Sequence, residues 1–262
     1  MFLPIRSVDK YPVNPGQFTG FSLFVGVTAM EDLGINVRTV THTHNPHSVI
    51  YLGMHQCVSV DPAYTLALSE RIAAGIVVKR LLAGDRGHWS PFELATIVFN
   101  CANIPHSAVA QMTRHRVAVS FSIQSFRYTA PARGTPIEQV VYLRPVGQYP
   151  DREGRKKDYT QAHRDRDLEI AQQLFDHFCD RIDEGFAPEQ ARGLMPFDLR
   201  QHVNVGFNAR SLMHFLDLRH KADAQLEVRI LAELMFQRFK EWMPETAEYY
   251  ENKRLNRAKL AP

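Results

Sequence analysis

Twice along this chain, a short run rich in β-branched and aromatic residues ends at a helix-start signal. LATIVFNCA (Leu94 to Ala102) leads into Asn103-Ile104-Pro105, where Pro105 suits the first position of a helix from His106 to about Arg116. LRQHVNVGF (199–207) leads into Asn208, a good N-cap, ahead of NARSLMHFLDLR. Each junction changes the hydrophobic period from that of a strand to that of a helix, so strands and helices must share a core.

The other periodic segments are helical. From Pro62 to Ala83, Leu66, Ile72, Ala73, Ile76, Val77 and Leu81 recur at helical intervals, with Gly84 as the stop. A long helix is predicted from Asp158 to Glu184 on the repeat Ile170, Leu174, Phe178, Ile182, ended by Gly185; Pro188 opens a short one that stops at Pro196. Residues 130–157, with several prolines and the basic patch Arg152, Arg155, Lys156 and Lys157, read as an irregular, solvated excursion. The first fifty or so residues are rich in turn formers, among them Pro4, Pro12, Pro15, Gly16 and Gly20. With no repeat, low-complexity tract or clear linker, one intertwined domain over 1–250 is expected, in which 1–60 is a divergent N-terminal extension; 251–262 reads as a flexible basic tail.

The chemistry concentrates in RHRVAVSFSIQSFRY (114–128), which packs three arginines, one histidine and three serines around a few apolar anchors. Guanidinium forks and hydroxyls at this density suit a phosphate. The predicted helix before it projects Gln111, Arg114 and His115 together. A second polar set, Asn208, Arg210, His214 and Arg219, is interleaved with Leu212, Met213, Phe215, Leu216 and Leu218.

A net charge of +3 is too mild to imply nucleic-acid binding, and no apolar run approaches the roughly 20 residues of a bilayer span. The start MFLPIRSVDK lacks a signal-peptide apolar block, so a cytoplasmic location is expected. Cys57, Cys101 and Cys179 are too few and too scattered for a disulfide framework and read as core thiols without a histidine neighbour. His42, His44 and His47 crowd an Asn-Pro turn with no acidic or cysteine ligand, so a solvated loop and no metal are expected. GxGxxG, GxxxxGK[ST] and GxSxG are all absent.

In order and spacing, GHWSPFE, QMTRHR, SFSIQSFRY, EQARGLMP and NARSLMHFLDLR followed by AQLEV resemble the flavin-dependent thymidylate synthases, over roughly residues 66–242. The resemblance implies an α+β fold of long helices packed on a mostly antiparallel sheet, and a homotetramer with active sites between subunits. It implies FAD as cofactor, with NADPH and methylenetetrahydrofolate as co-substrates, and conversion of dUMP to dTMP without a cysteine nucleophile. Carried over by motif position, Gln111, Met112, Thr113, Arg114, Ile123, Gln124, Ser125, Phe126, Arg127, Arg192 and Arg219 would hold the nucleotide. Arg219 would activate the uracil by stabilising charge at N3 and O4, and His88 would stand at the flavin's reactive edge. His88, Ser90, Arg114, His115, Arg116, Ile123, Asn208, Ala209, Arg210 and His214 match flavin-contacting positions.

The chain departs from the family pattern in places. Eight residues, Val117 to Gln124, separate RHR from Ser125 where seven are usual, which predicts a bulge or loop before Ser120. Ile123 stands where glutamate is common, Asp223 where histidine fits, and His214 replaces an expected amide. Two further readings stay open: a related C5-methylase acting on UMP or a modified nucleotide, and a non-catalytic nucleotide- or RNA-binding module.

Overall fold

The computed structural model describes residues 33–83, 87–151, 153–255 and 257. The proline- and glycine-rich stretch from Pro4 to Gly20, the helix stop at Gly84, Arg152 and the last five residues of the tail lie outside the described residues.

The strands are β1 (Asn36–His42), β2 (Thr96–Pro105), β3 (Val119–Ile123), β4 (Gly147–Pro150), β5 (Lys156–Tyr159) and β6 (Arg200–Asn208). Four of them form a wholly antiparallel sheet in the order β1-β2-β6-β3, with Phe99 opposite Val205 and Phe121 opposite the same residue on the other side. Period-2 alternation sends Ile97, Phe99 and Cys101 of β2 and Val203, Val205 and Phe207 of β6 into one buried face.

The helices are α1 (Pro46–Gln56), α2 (Glu70–Val77), α3 (His106–Met112), α4 (Ile137–Val140), α5 (Gln161–Asp183), α6 (Pro188–Ala191), α7 (Ala209–Arg219), α8 (Leu226–Trp242) and α9 (Pro244–Lys253). Leu212, Phe215 and Leu216 of α7 and Leu231, Met235, Phe236 and Phe239 of α8 fill the space over the sheet, with Tyr250 of α9 behind them. Each such side chain contributes about 1.5–3 kcal/mol by leaving water. A second cluster, Val140, Val141, Phe175, Phe178, Cys179 and Ala191, joins α4, α5 and α6. The architecture is the expected α+β. No described helix is long and apolar enough to cross a membrane.

Several local expectations need correction. The stretch from Pro62 is not one helix: a 3-10 turn at Ala63–Thr65 precedes α2, and the π-helical turn Val78–Leu82 follows it. Leu66 and Ile72 are accordingly exposed, not core. Pro105 closes β2 instead of opening α3, and α3 ends at Met112, which leaves Arg114 and His115 in the turn beyond it. In α5 the buried stripe is Ala171, Phe175, Phe178 and Cys179, so Ile170 faces solvent.

The excursion at 130–157 holds α4 and, with Lys156 and Lys157 in its second strand, the β4–β5 hairpin. β1 and α1 occupy part of the expected turn-rich N-terminal region. His47 is buried, with Nδ1 2.8 Å from Glu70 Oε1 and Nε2 2.9 Å from Thr246 Oγ1. The same Glu70 carboxylate accepts from the backbone amides of His47 and Ser48 at the start of α1, favourable chemistry at a helix N-terminus. Cys101 and Cys179 are core thiols, whereas Cys57 is exposed with Sγ 3.7 Å from His88 Nε2.

Candidate active site

Asn208 caps α7 as its sequence position predicts: Oδ1 accepts from Ser211 N at 2.7 Å, and Asn208 N donates to Ser211 Oγ at 3.1 Å. The Ser211 hydroxyl also lies 3.0 Å from the carbonyl of Ala118. Ala118 has φ 54, left-handed backbone that costs a residue with a Cβ about 1–2 kcal/mol. It closes the loop just before Ser120, where the extra residue was expected to be absorbed. This pins the Arg114–Arg116 loop to the start of α7, the helix that carries His214 and ends at Arg219.

Arg219 reaches back from α7 to that loop and to α3. Its Nε donates to His115 Nε2 at 3.0 Å, Nη2 to the Gln111 carbonyl at 3.2 Å and Nη1 to Gln111 Oε1 at 3.4 Å. Among the described residues no carboxylate pairs with Arg219, so neutral acceptors orient the guanidinium and leave its charge unneutralised. Partial burial and the positive charge of Arg114 hold its pKa below the usual guanidinium value.

Because Arg219 Nε–H can only donate, neutral His115 must accept at Nε2 and carry its proton on Nδ1. Burial, then the charge of Arg219 and the His214 ring, push the His115 pKa down to about 4. His214 lies edge-on to it with ring centroids 5.3 Å apart, and burial lowers its pKa too. Among the described residues, the Nδ1 atoms of both rings are buried without a hydrogen-bond partner.

Sequence reasoning missed the next layer. Gln225 Oε1 accepts from Gln111 Nε2, while Gln225 Nε2 donates to Ser107 Oγ at 3.0 Å and to Glu227 Oε2 at 2.8 Å. Buried Glu227 is held in turn by Arg144 at 2.7 Å and Tyr142 at 3.1 Å; burial pushes its carboxyl up, and the hydrogen bonds from Arg144 and Gln225 outweigh that and hold it below the ordinary value. The signal was present in AQLEV, where a glutamine and a glutamate bracket one leucine at the start of α8.

The remaining predicted residues form separate patches. Gln124 is locked to β6, donating from N to the His202 carbonyl at 2.9 Å and accepting His202 N at Oε1 at 3.1 Å. Ser125 opens a turn whose carbonyl accepts from Tyr128 N and Thr129 N. Arg127 pairs with Glu189 of α6, three residues ahead of exposed Arg192. At the far end of α7, Arg210 pairs with Glu93 at 2.7 Å, close in sequence to Ser90 and His88; Glu93 too had been given no role. Among the described residues, no hydrogen bond or ion pair joins the Ser125–Arg127–Arg192 patch or the His88–Ser90 patch to Arg219.

The model of the thymidylate synthase complementing protein family matches residues 38–245. The flavin-dependent thymidylate synthase of Halobacterium salinarum is 36% identical over 190 residues, covering 68% of this chain and 76% of that one. The enzyme of that name from Haloarcula marismortui is 34% identical over 191 residues, with the same coverage of both chains.

The chain belongs to the flavin-dependent thymidylate synthase family.

A solved UMP/dUMP methylase, PolB from Streptomyces cacaoi bound with 5-Br dUMP, superposes with a TM-score of 0.67 at 25% identity, covering 87% of this chain and 97% of that one. The flavin-dependent thymidylate synthase family uses FAD, and the donors here suit such a group: His115 Nδ1–H and His214 Nδ1 are buried polar atoms without a partner among the described residues, which a heteroaromatic ring edge can satisfy. Arg114 and Arg116 are exposed beside them. Met112 and Ala209 are wholly buried and belong to the core beneath the site, and Phe126 is buried in its turn. Ile123 is exposed and Thr113 partly so, on either side of the loop.

Proposed function

We propose that this chain methylates dUMP at C5 to give dTMP, with methylenetetrahydrofolate as the carbon source, NADPH as reductant and FAD as cofactor. When bound, FAD supplies the hydride that reduces the transferred methylene. The observation that carries the reading is Arg219: a half-buried guanidinium oriented by His115 and Gln111, with no carboxylate paired to it among the described residues. Such a group stabilises negative charge developing on uracil N3 and O4 in a site where the local dielectric is low. Neutral His115 holds the guanidinium at Nε without cancelling its charge. Arg127 and Arg192 take the phosphate, the former exchanging Glu189 for the ligand, and Ser125 adds a hydroxyl donor.

The three patches are completed by other copies of the chain, as a homotetramer with shared active sites provides. This reading is supported by the lack of any hydrogen bond or ion pair linking them within the described residues of one chain. A second substrate reading, UMP, is favoured by the similarity to the UMP/dUMP methylase.

The test is the visible absorption of the purified protein loaded with FAD, followed under anaerobic NADPH with and without dUMP or UMP. Retained flavin that bleaches faster with dUMP, and dTMP as product, supports the reading. A protein that holds no flavin defeats it, and faster turnover on UMP transfers it to the second substrate.

A further inference from the structure

A cleft of about 770 Å³ opens between α1 and the α2–π-turn segment, with His88 at one side. Its floor is apolar, from Met54, Ile76 and Leu81, and Tyr51 stacks on His55 in its wall at 5.7 Å. Arg71, Lys79 and Arg80 also line it, and among the described residues no Asp or Glu does. None of the three cations has a hydrogen bond or ion pair within the described residues. The contrast is the 590 Å³ cavity beside Gln225, where Arg144 and Lys157 share the walls with Asp151, Asp158, Asp167 and Glu227.

Two backbone features separate the cleft from an ordinary basic surface. Gly75 lies in mid-helix, where glycine costs about 1 kcal/mol relative to alanine. A Cβ built there meets nothing within 4 Å among the described residues, so packing among them gives no reason for its absence. The next turn is widened, with Ala83 N donating to Val78 O at 2.8 Å, a π-bulge of the kind that gathers at functional sites.

Resting on the flavin-enzyme reading above, we propose that this cleft holds the polyanionic arm of a co-substrate, with Gly75 making room for it and His88 at the end nearer the flavin. The chemistry is a flexible arm bearing several negative charges on a planar heteroaromatic. Two co-substrates carry it: NADPH through its phosphates, and methylenetetrahydrofolate through its glutamate carboxylates.

The test uses the full-length, FAD-loaded enzyme with Arg71, Lys79 and Arg80 all changed to Ala, and separately with Gly75→Ala. The triple variant is expected to raise KM for one co-substrate about tenfold, the sum of three screened ion pairs, with kcat, FAD content and dUMP affinity held. Gly75→Ala is expected to raise the same KM while raising Tm, a combination that a merely structural glycine does not produce.

Anaerobic flavin reduction by NADPH and NADH, and turnover with mono- and triglutamyl folate, separate the sources. Loss of the NADPH-over-NADH preference assigns the dinucleotide, and loss of the triglutamate preference assigns folate. Calorimetric titration of the bisphosphorylated adenosine fragment of NADPH and of triglutamyl folate into wild type and triple variant decides the cleft's role even if wild type proves to hold no flavin. The inference is overturned if both KM values stay within twofold and neither fragment distinguishes the proteins. It is equally overturned if FAD content falls, which assigns the cleft to the flavin's own phosphates, or if Gly75→Ala breaks the oligomer, which assigns it to a second copy.

Discussion

Arg219 donates from Nε to Nε2 of His115 at 3.0 Å, and this one bond decides where the imidazole proton sits. The ring is kept neutral by burial and by the very charge it orients. The guanidinium is therefore aimed by a partner that does not cancel it, while His115 Nδ1–H is left to donate to a ligand.

Arg219→Lys keeps a charge but loses the planar fork that reaches His115 and both Gln111 oxygens. Turnover at saturating dUMP is expected to fall by about tenfold or more, losing at least ~1.4 kcal/mol of transition-state stabilisation, with FAD retention close to wild type. Single-turnover dTMP formation measures it. Unchanged turnover removes Arg219 from its role.

The His115 pKa of about 4 lies below its ordinary value of 6.5, so the unfolded chain takes up the proton first as pH falls. Its contribution to stability is complete above about pH 6.5 and is lost as pH falls towards about 4, with a slope of at most ~1.4 kcal/mol per pH unit. His115→Phe is expected to flatten the pH dependence of denaturant midpoints across that window. Parallel curves for the two proteins would count against the depressed pKa.

Gln225 fixes the Gln111 amide so that Nε2 faces α8 and Oε1 faces Arg219. Gln225→Ala frees that amide and removes one of the donors to Glu227, at about 1 kcal/mol for the positioning bond. KM for dUMP is expected to rise about fivefold while flavin content is unchanged. Initial rates across a dUMP range, beside the FAD absorbance of the same sample, check this.

Tyr250 OH donates to buried Asp217 Oδ1 at 2.6 Å, and Arg254 holds the other carboxylate oxygen at 3.0 Å. This pair fastens α9 to the back of α7, away from the Arg219 network. Tyr250→Phe is expected to cost about 1–2 kcal/mol and lower Tm by several degrees without changing KM for dUMP. Calorimetry and initial-rate kinetics on one preparation test both halves.

Patterns that depend on neighbours in sequence were legible. The strand 200–208, its Asn208 cap and the helix beyond it need only a few consecutive residues and are found as predicted, and the left-handed Ala118 sits where the long RHR-to-Ser125 spacing called for a loop. Patterns that depend on what covers a surface were not. His47 looks like a solvated turn until Glu70 and Thr246, distant in sequence, are folded against it. The α5 stripe shifts by one position because α4 and α6 decide which face is covered, and periodicity fits either.

By itself the sequence determined the family, the alternation of strands and helices, and which residue types carry the chemistry, because propensity, capping and motif spacing are properties of short range along the chain. Only the tertiary structure decided that Gln111, His115 and Arg219 converge through α3, its following loop and α7. It alone decided that Gln225 and Glu227 stand behind them, that Cys57 faces His88, and that Arg71, Lys79 and Arg80 line a cleft to which no described residue lends a carboxylate. Those are consequences of burial and long-range packing, where a hydrogen bond between residues 104 apart, such as Arg219 to His115, leaves no mark on local pattern.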